Sequence, residues 1–187
     1  MSLIEDYGLE QPARAYLILA LAVEDKKQQK AMDILHAQKV VRYFEFLGQK
    51  KDVDFSNFKL GAVSYELEES LSTLMECGFI TNSDKTHFEL TDEGKKAAAE
   101  LHSRFGAEDL RKLTFSKQQL NDLSNDEVMF FMYKLLPETR ANSTEVSRLF
   151  RKEKELAESL FKKGRISAAI AANWLEMTEQ DFLTSVK

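Results

Sequence analysis

The stretch GFITNSDKTHFELTDEGKKAAAEL (Gly78–Leu101) holds the most informative order of residues in the chain. Gly78 suits the left-handed position that ends a helix. Phe79 and Ile80 then begin a strand, NSDKT makes a polar turn, and Phe88 and Leu90 alternate on a second strand. Thr91 is placed to cap a helix whose first turn holds Asp92 and Glu93, where carboxylates favour the positive helix end. The stretch therefore predicts a helix end, an antiparallel hairpin over residues 79–82 and 87–90, and a further helix.

Upstream, Pro12 opens a helix reaching about Val23, apolar nearly all round and so expected to be buried. A second helix is expected from about Gln29 to Leu47, stopped by Gly48, followed by a loop or short extended piece in QKKDVDFSNFKLGA. Val63, Leu67, Leu71 and Leu74 recur at helical spacing and predict a third helix leading to Gly78. Helix, helix, helix, hairpin, helix is the plan of a winged helix-turn-helix domain. Almost everything outside the hairpin is expected to be helix or loop, and a parallel sheet or more than about four strands would overturn that plan.

After Phe105 the pattern changes to short capped helices. SNDE at Ser124–Glu127 reads as a capping box, and Pro137 closes the helix it opens. NSTE at Asn142–Glu145 is expected to open a long helix running to Lys163 and stopped by Gly164. Ser167 and Thr178 can cap two further helices, together a helix-turn-helix-like end. The fold class is thus mainly α. A winged-helix-like domain with a two-stranded wing is expected over residues 1–120, followed by a helical C-terminal module over residues 121–187.

Only two prolines and seven glycines punctuate the 187 residues, which favours helices over strands. Net charge is −5, against a strongly basic nucleic-acid binder, and neither side of Leu120 is basic as a whole. No apolar run approaches the roughly 20 residues of a membrane helix, so a cytoplasmic protein without membrane partners is expected. The single cysteine, Cys77, excludes an internal disulfide. His36, Cys77, His87 and His102 share no metal-ligand spacing, and no phosphate loop or nucleophile motif occurs. Neither cofactor, metal nor enzymatic activity is expected.

Two surfaces remain as candidates. The helix before the wing would enter the major groove in ordinary winged-helix docking. Its outward face presents Tyr65, Glu69, Ser72, Thr73 and Glu76, flanked by Glu66 and Glu68, with no Lys or Arg from Leu60 through Ser83, and the wing adds only Lys85. Phosphates repel such a face, so it suits a protein partner better. Cations gather instead at Arg148, Arg151, Lys152, Lys154, Lys162, Lys163 and Arg165, among Glu153, Glu155 and Glu158. That run reads either as a phosphate patch or as a solvated helix laced with ion pairs. Phe130, Phe131, Met132 and Tyr133 are read as core, with a homodimer seat as the alternative.

Residues of about 15–101, with GAVSYELEESLSTLMECGFI and FELTDEGKKAA, resemble the winged-helix, phage-associated (Panacea, SocA-like) antitoxin group and YwgA-like archaeal and bacterial proteins. Residues of about 124–187 resemble a small helical family of antitoxin or regulator modules. The matching stretch is LAESLFKKGRISAAIAANWLEMTEQDFL, with Gly164, Ile166, Ser167, Ala171, Ala172, Met177 and Phe182 fitting. One departure is Glu176, where a glycine usually makes the turn and a positive φ would be costly. The resemblance implies regulation through DNA or through a partner protein such as a toxin, without a substrate. The leading expectation is a non-enzymatic regulator binding DNA through the basic C-terminal helix. The alternative is a protein-interaction module of winged-helix shape.

Overall fold

The computed structural model describes residues 3–84 and 86–186. It is mainly helical with small antiparallel sheets. The chain divides into two compact units, one reaching Ser56 and resuming over Ala62–Leu123, the other formed by Asn57–Gly61 and the residues from Ser124 on.

The first unit starts with α1 (Leu3–Asp6) and α2 (Pro12–Ala22). From Ala15 to Leu21 every α2 residue is buried, and the helix packs against α3 (Ile34–Gly48), α4 (Tyr65–Glu76), α5 (Asp92–Arg104) and α6 (Ala107–Leu120). An apolar surface on every side needs neighbours on every side, as the sequence of α2 requires. Strands β1 (Met32–Asp33), β4 (Ile80–Asn82) and β5 (His87–Leu90) form an antiparallel sheet in the order β1-β5-β4, with Asp33 opposite His87 and Ile80 opposite Leu90. A separate hairpin pairs β2 (Ser56–Phe58) with β3 (Gly61–Val63).

In the first unit several elements differ from those expected. The second helix begins at Ile34 rather than near Gln29, because the Asp33 carboxylate accepts the His36 amide at 2.8 Å as an N-cap. The preceding Met32 and Asp33 are drawn out to pair with β5. The loop or short extended piece expected after Gly48 is extended in part, as the β2–β3 hairpin, which raises the strands among the described residues to five against an expected limit of about four. The segment after Phe105 is not a series of short helices at first, but the 14-residue α6.

The hairpin β4–β5 is fixed to α5 as the LTDEG residues suggest. The Thr91 hydroxyl accepts the Gly94 amide at 3.1 Å and donates to the Gly78 carbonyl at 2.7 Å. Gly94 sits against the Phe79 carbonyl, and a Cβ there would lie 2.0 Å from its oxygen. Backbone cannot yield like a side-chain tip, so glycine is the residue that lets the helix approach the strand.

Helices α3 and α6 reach into irregular segments with buried polar side chains. Gln38 exchanges two hydrogen bonds with the Ser64 backbone at 2.9 and 2.8 Å, and Lys39 Nζ donates to the Ala62 carbonyl at 2.6 Å. Glu45 accepts the Asp52 and Val53 amides, each at 2.8 Å. Lys117 Nζ donates to the Ala20 carbonyl at 2.7 Å and to that of Lys30. Burial lowers the Lys117 ammonium to about 7 and that of Lys39 to about 8.

The second unit contains α7 (Asn125–Leu135), a 3-10 turn over Pro137–Arg140, α8 (Val146–Phe150), α9 (Glu153–Lys162), α10 (Ala168–Trp174) and α11 (Glu179–Ser185). Ser124 and Glu127 form the expected capping box. Phe130, Phe131, Met132 and Tyr133 are buried in this unit's core. The long helix expected over 142–163 is broken between α8 and α9. Its proposed caps are engaged elsewhere: Asn142 donates to the Asn57 carbonyl at 3.0 Å and Ser143 to that of Lys59 at 2.8 Å. Ser167 and Thr178 do cap α10 and α11, and Glu176 adopts a left-handed φ of 54° between them.

This packing makes two effects measurable. Gly94→Ala should destabilise the protein by about 2–3 kcal/mol in urea unfolding. Gly106→Ala, where a Cβ meets open space, should be near neutral; equal stability of the two variants would contradict the close approach to Phe79. Lys117 titrates near 7 when folded and near its ordinary value of 10.5 when unfolded. Between those values the unfolded chain holds a proton that the folded chain has released, so stability rises with pH, by up to about 1.4 kcal/mol per unit. Denaturation from pH 7 to 9.5 should show a shallower rise for Lys117→Met than for the unaltered protein. Parallel curves would place the amine in contact with water.

Candidate functional site

The groove-facing candidate is α4. Ser64 caps it by accepting the Leu67 amide at 3.3 Å, and Leu67, Ser70, Leu71 and Leu74 are buried. The opposite face carries Tyr65, 62 % exposed, with Glu68, Glu69, Ser72 and Glu76 also exposed. Glu66 is half-buried and accepts from the Gln11 amide group at 3.1 Å. The Ser72 and Thr73 hydroxyls turn back onto the carbonyls of Glu68 and Glu69. What α4 offers to solvent is thus an aromatic ring among carboxylates. Lys85, expected in the wing, lies outside the described residues; in the turn after β4 Asp84 accepts the Thr86 and His87 amides at 2.7 and 2.8 Å.

The basic segment of the second unit is less available than its sequence suggests. The Arg148 guanidinium bonds both Asp126 oxygens and Glu145, all at 2.7 Å. Lys163 Nζ reaches both oxygens of Glu127 at 2.7 Å. Burial pushes the Glu127 carboxyl up, but hydrogen bonds from Lys163, Ser159 and Ser124 outweigh it and hold the group at about 2. Arg165 is only 9 % exposed. The remaining cations, Arg151, Lys152, Lys154 and Lys162, are exposed. Lys152 lies 3.9 Å from Asp126 and Lys154 3.8 Å from Glu158. Arg151, Lys152 and Lys154 line a shallow hollow together with Glu155 and Glu158, so positive charge is interleaved with negative.

Two Asp–His pairs line a polar cavity of about 390 Å³ in the first unit. His87 Nδ1 lies 3.0 Å from Asp84, and His36 Nδ1 lies 2.9 Å from Asp33. The other His36 nitrogen, Nε2, faces the Leu123 carbonyl at 2.9 Å. Both ring nitrogens of His36 therefore meet acceptors, which only the imidazolium can satisfy. Burial opposes that charge, but Asp33, the Leu123 carbonyl and nearby Asp122 raise the pKa above its ordinary value. Such a ring holds structure together and has no nitrogen left to act as a base. Among the described residues, no three or more His, Cys, Asp or Glu side chains are grouped to hold a metal ion.

The sequence allowed for ion pairs within the basic run, such as Lys154 with Glu158, but not for distant partners or for the burial of Arg165. Arg148 and Asp126 are 22 residues apart, Lys163 and Glu127 36 apart, and only the fold joins them.

His36 gives a pH signature with a definite sign. Its folded pKa is raised, so its stabilisation is complete below about 6.5 and disappears as pH rises through the folded value. His36→Ala should cost about 1–2 kcal/mol near pH 5.5 and less near pH 9. An NMR titration placing this imidazole below the ordinary histidine range would refute the assignment. Compared with protein-family models and with curated protein sequences, the chain finds no match in either.

Proposed function

We propose that the first unit is a winged-helix domain that acts without catalysis, as a regulator that docks a protein partner through the exposed face of α4. The element order from α2 to β5, with β1 closing a sheet in the order β1-β5-β4, supports the winged-helix reading. The two strands beyond that sheet belong to the β2–β3 hairpin, which pairs only with itself. The resemblance to phage-associated antitoxin proteins points the same way, toward control of a partner such as a toxin.

One observation carries the choice of partner: Tyr65 is 62 % exposed beside Glu68, Glu69 and Glu76, in a segment without Lys or Arg from Leu60 to Ser83. A groove-reading helix gains affinity by neutralising phosphates, and this one would be repelled. An exposed aromatic ring flanked by carboxylates suits a basic protein surface, the ring as anchor and the charges for steering. DNA binding through Arg151, Lys152, Lys154 and Lys162 is the second reading, favoured by their exposure. It ranks lower because Arg148 and Lys163 are ion-paired and Arg165 is buried.

The test sets two variants against each other. Tyr65→Ala with Glu69→Gln and Glu76→Gln should release the partner in pull-downs, while reversing charge at Arg151, Lys152 and Lys162 should leave it bound. In gel shifts neither protein should retard DNA at physiological salt. Retardation that disappears in the basic triple variant would establish the second reading instead. The salt slope of binding would then be shallower by about one unit for each phosphate no longer neutralised.

A further inference from the structure

Two large rings on neighbouring helices of the first unit stand in water, Phe46 of α3 at 41 % and Phe115 of α6 at 44 % exposed. Tyr43 joins them, its ring centroid 6.4 Å from that of Phe46 and 6.2 Å from that of Phe115. Contiguous exposed apolar groups mark interaction surfaces where single ones do not. Phe115 also borders two hollows. One, of about 260 Å³, is framed by half-buried Leu47 of α3 with Glu108, Arg111 and Lys112 of α6. The other, of about 390 Å³, runs past Leu110, Thr114 and Gln118. Glu108, Arg111, Lys112 and Phe115 follow one another at i, i+3, i+4 and i+7, the four-residue frame that receives a side chain from a facing helix. Helix α6 thus carries both halves of an interlocking contact, a projecting ring and a frame to receive one.

A surface that is its own complement fits a second copy of itself about a twofold axis. Charge selects the same occupant. With a net charge of −5, two copies of the chain repel at long range, so the faces that meet must be locally balanced. Around Phe115 they are. Glu108 meets Arg111 and, at 3.5 Å, Lys112, while Asp109 meets Lys50 at 2.7 Å. We propose that the protein forms a twofold dimer in which the α6 helices cross antiparallel and Phe115 of each copy enters the frame of Leu47, Glu108, Arg111 and Lys112 on the other. In that register Arg111 comes to the Phe115 ring of the second copy, a cation–π contact, and Glu108 comes level with its Gln118, whose amide can donate. The alternative homodimer seat, Phe130 to Tyr133, is closed because those side chains are buried. No α4 residue lines either hollow, so the dimer contact is separate from the proposed docking face.

Sedimentation equilibrium of the full chain tests the contact over about 1–100 µM, the span of weak to moderate affinities. The unaltered protein should approach the mass of two chains and go no further, and its thermal unfolding should shift upward with concentration. Phe115→Glu should raise the dimer dissociation constant at least about thirtyfold, as loss of a central anchor does, and remove the concentration dependence of unfolding. Arg111→Glu, at an exposed position that no core contact depends on, should raise it about fivefold or more. Tyr65→Ala should dimerise as the unaltered protein does. The proposal is overturned if the unaltered protein keeps the mass of one chain throughout, if larger oligomers form, if the dimer survives both α6 substitutions, or if Tyr65→Ala dissociates it as readily.

Discussion

Lys117 is the constraint on which the first unit depends. Its amine reaches the carbonyls of Ala20, in the last turn of α2, and of Lys30, just before β1. Carbonyls at a helix end have no partner within the helix, and burying them unpaired would cost several kcal/mol. One turn later Asn121 donates to Asp25 at 2.8 Å and to the Ala31 carbonyl at 3.1 Å. Asp25 in turn accepts the Lys27 and Gln29 amides. Helix α6 thus holds the whole connection between α2 and β1, which delivers Met32 and Asp33 to β5 and gives the sheet its third strand. A buried lysine whose ammonium pKa is lowered to about 7 by that burial is the cost of closing the connection.

The same use of polar side chains recurs in both units and explains why the sequence looks richer in chemistry than the surface is. Lys39, Glu45, His36, Glu127, Arg148 and Lys163 would each be a reasonable functional residue on paper. In the fold each is bound to a backbone group or to an opposite charge. These groups cannot be released to a ligand without unpairing something, which for buried partners is expensive. Of the residues the sequence singled out as candidates, those that remain exposed and unengaged in this way are on α4 and in a thinned set of cations, Arg151 and Lys152 between α8 and α9 and Lys154 and Lys162 on α9.

What was legible in the sequence is what depends on near neighbours. Thr91, Ser124, Ser167 and Thr178 cap helices because each finds its amide three residues on, and the capping box needs no distant partner. The strands at 80–82 and 87–90 follow from alternation and a polar turn. What was not legible depends on residues far apart. Asp33 starts α3 late because β5, more than 50 residues on, recruits Met32 into a sheet. Asn142 and Ser143 have the composition of a cap, yet the carbonyls of Asn57 and Lys59 in the β2–β3 hairpin claim them, and the helix starts only at Val146. The disarming of Arg148 and Lys163 is of the same kind.

Acidity on α4 cannot be read as function without separating its two causes. Glu66 and Glu68 stand in the first turn, where carboxylates complement the positive helix end, so the helix itself accounts for them. Glu76 stands in the last turn, which holds no basic residue, and there a carboxylate opposes the negative helix end by about 0.3–1 kcal/mol. Glu69, midway along the exposed face, gains nothing from either end. Among the described residues no cation pairs with Glu69 or Glu76, unlike the carboxylates of the second unit that hold Arg148 and Lys163. Tyr65 adds an apolar ring in water on the same helix. Of these carboxylates only Glu76 carries a cost set by the helix itself, and a cation laid over it would relieve that cost.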